Sequence, residues 1–290
     1  LQALARVRGE SAALPEAAFL YRQALALQSG REDEDRGRAY DGLGRVLALQ
    51  GKYATAVHFH RRAIALLRSA PEIGIALHHL GFALRRSSQQ REARPELERA
   101  IALLTSAYGP AHPLVAETRV ELGIVLWGLL DFPGARAQLE RALPVLERAY
   151  GPDHPRVGAA LAPLGSILAE ERALDRALPL LARALAIREK ALGPTHPDVA
   201  SSLTALGRAQ WLRGDLDGAL EHLERARATL EPAVGADHPD LSIVFDCMAQ
   251  IYQQKRRWVE ARTYYRKAIA LREKAMGGDS QFLAIPLYTL

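Results

Sequence analysis

Several residue types are absent or scarce in this sequence of 290 residues, and each absence excludes a class of protein. Asparagine does not occur, and the single cysteine, Cys247, excludes an internal disulfide framework. No apolar run approaches the roughly 18 residues of a membrane-spanning helix, and residues 1–10 lack the apolar stretch of a secretory signal peptide. Because an unpaired cysteine is typical of a reducing compartment, we predict a cytoplasmic protein with no membrane partner.

The sequence also lacks the motifs of common catalytic and nucleic-acid-binding proteins. It contains no phosphate-binding glycine-rich loop, no His-Glu-x-x-His segment, no nucleophile elbow and no cysteine pair. Its net charge of +5 is mild, and arginine is interleaved with acidic residues rather than clustered. We therefore predict a non-catalytic chain without a cofactor, and we do not expect nucleic acid as a partner. The abundance of Ala, Leu and Arg is typical of a GC-rich bacterial genome.

What the sequence does contain is a repeat with a period of 42 residues. A Gly-x-x-His-Pro segment begins at Gly109, Gly151, Gly193 and Gly235. A leucine followed by a small residue recurs in phase, and alanines follow that small residue at intervals of 12 and 19 residues. These alanines are Ala17, Ala24, Ala56, Ala63, Ala93, Ala100, Ala135, Ala142, Ala177, Ala184, Ala219, Ala226, Ala261 and Ala268. Fixed periods of this length are the signature of helical repeat arrays.

The positions within one repeat indicate two helices. Small residues at a fixed position allow two helix backbones to approach closely, and large apolar residues recur between them at helical spacing. A glycine after the second helix supplies a left-handed cap, and the proline of His-Pro suits the first turn of the next helix. Each repeat is therefore predicted to be helix A, a short turn, helix B and a connection. Pro163 lies inside a predicted helix A, where we expect a kink.

The turn segments Gly51–Ala56 and Gly214–Ala219 resemble those of tetratricopeptide repeats. The 42-residue period, with the segment Ala-Leu-Ala-Ile-Arg-Glu-Lys-Ala-Leu-Gly at 184–193, resembles the kinesin-light-chain type. The resemblance covers the whole chain and implies an all-α fold, a right-handed superhelical α-solenoid formed as one domain by residues 1–290. Its seven units span about residues 1–29, 37–69, 71–108, 113–150, 155–192, 197–234 and 239–276, with a partial eighth helix at 280–290.

In this family helix A lines the concave face, so the resemblance implies a non-catalytic scaffold or sensor that binds a protein or peptide there. The side chains expected to contact the partner are Arg45, His78, Phe82, Arg85, Glu121, Ile124, Trp127, Arg208, Trp211 and Gln250. An alternative is the regulatory arm of a larger bacterial enzyme or signalling protein, with a kinase, protease or NTPase domain outside this chain. The helix-A asparagines with which kinesin-light-chain repeats hold a peptide backbone are absent, which favours a helical or folded partner, or a dimer contact.

Tryptophan and arginine carry the most weight among these candidates, because both are enriched in interface hot spots. Trp127 and Trp211 occupy the same repeat position two units apart, where they either contact a partner or pack against the next repeat. Arg45 and Arg85 either bind an acidic group of the partner or remain solvated. Trp258 replaces a turn residue of the other repeats, and we predict that it is buried in the core.

The histidines fall into two groups. One lies in each connection, and these are interpreted as structural turn residues: His112, His154, His196 and His238. Four others lie closer together in the sequence: His58, His60, His78 and His79. No cysteine or carboxylate accompanies the second group at ligand spacing, so we predict no metal site. The apolar segment Phe282–Leu290 suggests a further hypothesis, self-association through the ends of the array.

Overall fold

The computed structural model describes residues 13–27, 33–236, 238 and 240–276, and within them the chain forms thirteen α-helices and no β-strand. The first helices of the repeats, helix A, are α2 (Glu34–Leu49), α4 (Ala70–Arg86), α6 (Pro113–Gly128), α8 (Pro155–Glu170), α10 (Pro197–Arg213) and α12 (Leu241–Gln254). The second helices, helix B, are α1 (Ala13–Leu27), α3 (Tyr53–Leu66), α5 (Gln90–Tyr108), α7 (Phe132–Tyr150), α9 (Leu174–Leu192), α11 (Leu216–Val234) and α13 (Trp258–Met276). The predicted all-α helical solenoid is therefore confirmed.

Helix packing follows the order of the chain. Helix α4, for example, packs against α5 of its own repeat and against α3 of the preceding repeat. The A helices of neighbouring repeats also touch, α4 with α2 and α6, and α10 with α8 and α12. The contacts divide the chain into two compact units, residues 1–149 and residues 150–290, each of which is a stack of helix pairs. Within each unit, the A helices therefore lie side by side.

The small residues of the repeat lie where helix A crosses helix B. The repeated alanines of α3, α5, α7, α9 and α11 are all 0% exposed. A methyl group added at Gly81 would lie 2.4 Å from Leu97 Cγ, and one added at Gly165 would lie 2.7 Å from Leu181 Cγ. Because protein interiors are close-packed, a larger residue at either glycine would displace the facing leucine. The prediction that small residues mark close helix crossings is confirmed.

The Gly-x-x-His-Pro connections share one local geometry. Gly109 has φ 85° and ψ 160°, and Gly193 has φ 84° and ψ 158°. Positive φ combined with extended ψ is essentially restricted to glycine, but it is not the left-handed helical conformation, so the predicted type of cap is wrong. The prolines occupy the first turns of α6, α8 and α10, as predicted. The histidine before each proline accepts a hydrogen bond at Nδ1 from a backbone N–H two residues later, at 3.2 Å for His112 and Leu114, which confirms the structural interpretation.

Two single-residue predictions have different outcomes. Helix α8 continues without a break through the buried Pro163, and the kink there stays a prediction. Trp258 is 62% exposed, so the prediction of a core position is wrong. It is the first residue of α13, where its ring faces solvent instead of the packed side of the helix.

Some predictions and one search concern the limits of the described chain. The partial eighth helix at 280–290 and the apolar segment Phe282–Leu290 lie outside the described residues, as do the first 12 residues of the predicted first unit. None of the described helices combines the length and the apolar character that crossing a lipid bilayer requires.

Candidate functional site

One position of helix A remains accessible in every repeat from α2 to α12. It directly follows the small residue, and we call these residues the helix-A row: Arg45, Phe82, Ile124, Ser166, Arg208 and Gln250. Arg45 and Arg208 are exposed and the other four are half-buried, whereas the small residue and the leucine or methionine before it are buried in all six helices. The row is therefore the part of helix A that can contact another molecule.

The ten predicted contact residues are divided between the two compact units. The first unit contains Arg45, His78, Phe82, Arg85, Glu121, Ile124 and Trp127, and the second contains Arg208, Trp211 and Gln250. None of the ten is fully buried. Within each unit the contacts between A helices bring these residues onto neighbouring helices.

Arg85 is already paired with a carboxylate of its own chain. Its Nε donates to Glu121 Oε2 at 2.7 Å, across the contact between α4 and α6, and the two side chains are only 18% and 17% exposed. The Arg85 guanidinium also lies 5.4 Å from the centre of the Phe82 ring. Because the pair is largely shielded from water, Arg85 stabilises the stacking of two repeats, and an acidic partner would have to compete with Glu121.

The second unit contains similar contacts between repeats. Arg208 on α10 pairs with Glu170 of α8 at 2.8 Å. The indole Nε1 of Trp211 donates to Gln254 Oε1 at 2.9 Å. Of the two alternatives for Trp211, this bond supports packing against the next repeat, because it occupies the polar edge of the ring.

Arg45, Ile124 and Trp127 are engaged less. No carboxylate of the described chain lies within ion-pair distance of Arg45, which is exposed on α2. Ile124 and Trp127 lie three residues apart on α6, and residues at this spacing share a helix face. His78 contacts Thr118, whose hydroxyl lies 3.1 Å from His78 Nδ1. The first unit therefore presents apolar side chains and one unpaired arginine near each other on its A helices.

A polar cluster that sequence reasoning missed lies beside this surface. It joins Asp41 of α2, His60 of α3 and His79 of α4, and we call it the Asp-His-His cluster. His60 Nδ1 lies 2.8 Å from Asp41 Oδ1, and His79 Nδ1 lies 3.0 Å from Asp41 Oδ2. The carboxylate that the predicted metal-free interpretation found lacking is therefore Asp41, which comes from a third helix.

Burial and hydrogen bonding set the protonation of this cluster. Burial alone would raise the pKa of Asp41, but the charge of His79 and hydrogen bonds from both imidazoles outweigh it and hold this pKa far below its usual range. Burial lowers the pKa of His60, although Asp41 opposes the shift. Asp41 is therefore ionised, and His60 is neutral at neutral pH with Nδ1 donating to the carboxylate.

The repeat register contains a signal for this cluster. The position of His60 is occupied in the following repeats by Leu97, Leu139, Leu181 and Leu223, each fully buried or nearly so. In three of these repeats that leucine packs on the small residue of helix A, as Leu139 does on Gly123. His60 packs on Gly44 in the same way, since a methyl group there would lie 2.7 Å from His60 Cε1. A histidine at a position that is otherwise leucine marks this repeat as different.

Comparison with known families agrees with this architecture. Two family models, both described as tetratricopeptide repeat, match the chain. One matches residues 72–148 and 159–231, just over half of the sequence, and the other matches residues 37–70 and 245–281. No curated protein matches the chain.

Solved structures show the same fold. A kinesin light chain from Podosopora anserina with nearly identical TPR-like repeats is 25% identical, over 70% of this chain and 99% of that chain, with a TM-score of 0.55. BtubC (BKLC) from P. vanneervenii is 21% identical over 77% of this chain and 91% of its own, with a TM-score of 0.59. The apo form of RapI is 18% identical over 91% and 93% of the two chains, with a TM-score of 0.68. At the last two identities, the likeness concerns the fold alone.

Proposed function

Because this chain belongs to the tetratricopeptide repeat family, we propose that it is a non-catalytic protein-interaction scaffold that binds a protein or peptide through its helix-A surface. Repeat arrays of this kind stack their units into extended surfaces, and those surfaces serve as binding sites. The proposal places the partner on the helix-A row and its neighbours.

The observation that carries the proposal is the accessibility of the helix-A row in all six described A helices. A position that served packing alone would be buried, as the small residue and the preceding leucine are. In the first unit the row contributes Phe82 and Ile124, which remain half-buried although both are large and apolar. Apolar side chains left partly exposed in a row, together with Trp127, are typical of a binding surface.

The polar surroundings restrict the kind of contact we expect. Arg85 and Arg208 are paired within the chain, so Arg45 is the candidate for an acidic group of the partner. The chain contains no asparagine that could hold the backbone of an extended peptide. We therefore expect side-chain contacts from a helical or folded partner, with apolar groups against Phe82 and Ile124.

Site-specific photo-crosslinking in the native host tests the proposal. A benzophenone amino acid at position 82 or 124 should give a discrete crosslinked product. The same amino acid at Ala102, an exposed residue on helix B of the third repeat, should not. Equal crosslinking at position 102 would contradict a helix-A site.

Once the partner is identified by mass spectrometry, a substitution pair completes the test. Ile124→Asp should reduce binding of the purified partner by about tenfold or more, because it places an unpaired charge in the apolar contact. Ala102→Asp adds the same charge on the other helix and should leave binding unchanged. Equal affinities for the two variants would refute the proposed surface.

A further inference from the structure

We propose that Asp41, His60 and His79 form a binding site for a divalent transition-metal cation of the zinc class. Each residue contributes one ligand atom, and these atoms lie within 4.8 Å of one another. The three side chains come from α2, α3 and α4, so a bound cation would connect both helices of one repeat to the first helix of the next.

The distances suit such a cation. Zinc binds imidazole nitrogen and carboxylate oxygen at about 2.0–2.2 Å, so two ligands of a tetrahedral site lie roughly 3.4 Å apart. The carboxylate of Asp41 lies 2.8 Å from His60 Nδ1 and 3.0 Å from His79 Nδ1. The cluster would therefore have to open by only a few tenths of an ångström to admit the cation in place of the shared protons.

The cluster is also accessible from one side. The Asp41 and His79 side chains are 15% and 19% exposed, whereas His60 is 0% exposed. Solvent can therefore reach the carboxylate and one imidazole, while the second imidazole forms a closed floor. Three protein ligands with an open side leave the fourth position for water or for a group of a partner, as in open zinc sites.

A second observation is that the cluster is not satisfied by its own hydrogen bonds. His60 Nε2 is buried and has no hydrogen-bond partner among the described residues. Buried polar groups are nearly always paired, and an unpaired nitrogen in a core is destabilising. An imidazole that donates through one nitrogen to a carboxylate and keeps the other nitrogen free is also the usual form of a metal-binding histidine.

The repeat register shows what this arrangement replaces. Later repeats place a leucine, such as Leu97 or Leu139, at the position of His60 and bury it completely. The second repeat has a histidine there, and it is this histidine that meets Asp41 and His79. Exchange of a core leucine for a buried imidazole loses apolar contacts and leaves a nitrogen unpaired, so a bound cation explains why the protein retains it.

Zinc binding to the full chain, purified without a polyhistidine tag and freed of metal with a chelator, tests the proposal. Calorimetric titration with zinc chloride should show one saturable site per chain, and the same chain should give a tetrahedral cobalt(II) absorption spectrum with cobalt chloride. Zinc should also raise the thermal unfolding midpoint, because it binds the folded state. The absence of saturable binding would overturn the proposal.

Three variants locate the site. His60→Leu restores the residue of the other repeats and is therefore expected to fold, and His79→Gln keeps a polar side chain of similar size. Both should weaken zinc binding at least tenfold, as loss of a ligand or its support does. The matched control is His78→Gln on the same helix, which contacts Thr118 and should bind zinc as the parent chain does. Circular dichroism verifies that each variant is helical. Unchanged zinc affinity in His60→Leu, or an equal loss in His78→Gln, would refute the assignment.

Discussion

Substitution of Gly81 by alanine probes the close crossing between α4 and α5. The added methyl group would lie 2.4 Å from both Cγ and Cδ2 of Leu97, and Leu97 is 0% exposed. Leu97 lies between the fully buried Ala93 and Ala100 on its own helix, so its side chain has little space to move into. The substitution therefore forces overpacking where the helix backbones are closest.

The magnitude follows from two opposing terms. Alanine is favoured over glycine inside a helix by about 1 kcal/mol. Overpacking of a filled core costs about 1–3 kcal/mol. We expect a net loss of about 1–2 kcal/mol in the free energy of unfolding. Gly128→Ala is the matched control, because the nearest atom to its added methyl group is Gln90 Cγ at 3.4 Å, an ordinary contact. That variant should gain up to about 1 kcal/mol.

Urea unfolding followed by circular dichroism measures both variants, and hydrogen exchange locates the change, because repeat arrays can unfold in parts. The loss in Gly81→Ala should appear in the amides of α4 and α5. A double variant with Leu97→Ala should lose less than the sum of the two single losses, by about 1 kcal/mol or more. If Gly81→Ala were as stable as Gly128→Ala, or if the two losses were additive, the steric explanation would be refuted.

Three further predictions concern single side chains. Burial raises the pKa of the Cys247 thiol, so an aromatic disulfide reagent should label it roughly 100-fold more slowly in buffer than in urea if reaction requires a local opening of about 3 kcal/mol; immediate labelling in buffer would contradict this. Trp258→Ala should change the free energy of unfolding by less than about 0.5 kcal/mol, because the ring is 62% exposed, whereas a loss of about 3–5 kcal/mol would indicate a core residue. Arg85→Ala should cost about 1–3 kcal/mol because it leaves Glu121 shielded and unpaired, but Arg61→Ala, which removes an ion pair 55% exposed on each side, should cost less than about 1 kcal/mol, and equal losses in urea unfolding would count against this difference.

The fold could be predicted in considerable detail, and the candidate site only in part. The repeat period located the helix pairs, the alanines at their crossings and the His-Pro connections, since each depends on spacing along one chain. The predictions that were wrong concern local orientation and backbone torsion. Trp258 was expected in the core because its counterparts are turn residues, but its ring faces solvent at the start of α13.

By itself, the sequence determined which residues form helices and which positions must be small, because both follow from intrahelical spacing and from the volume available at a crossing. Only the tertiary structure decided which side chains of different helices meet. Asp41 and His79 are 38 positions apart in the sequence, and Arg85 and Glu121 are 36 apart. Their contacts depend on the rotation of each helix about its axis and on the angle at which neighbouring helices cross. No local pattern encodes those two quantities, which is why the Asp-His-His cluster became visible only in the folded chain.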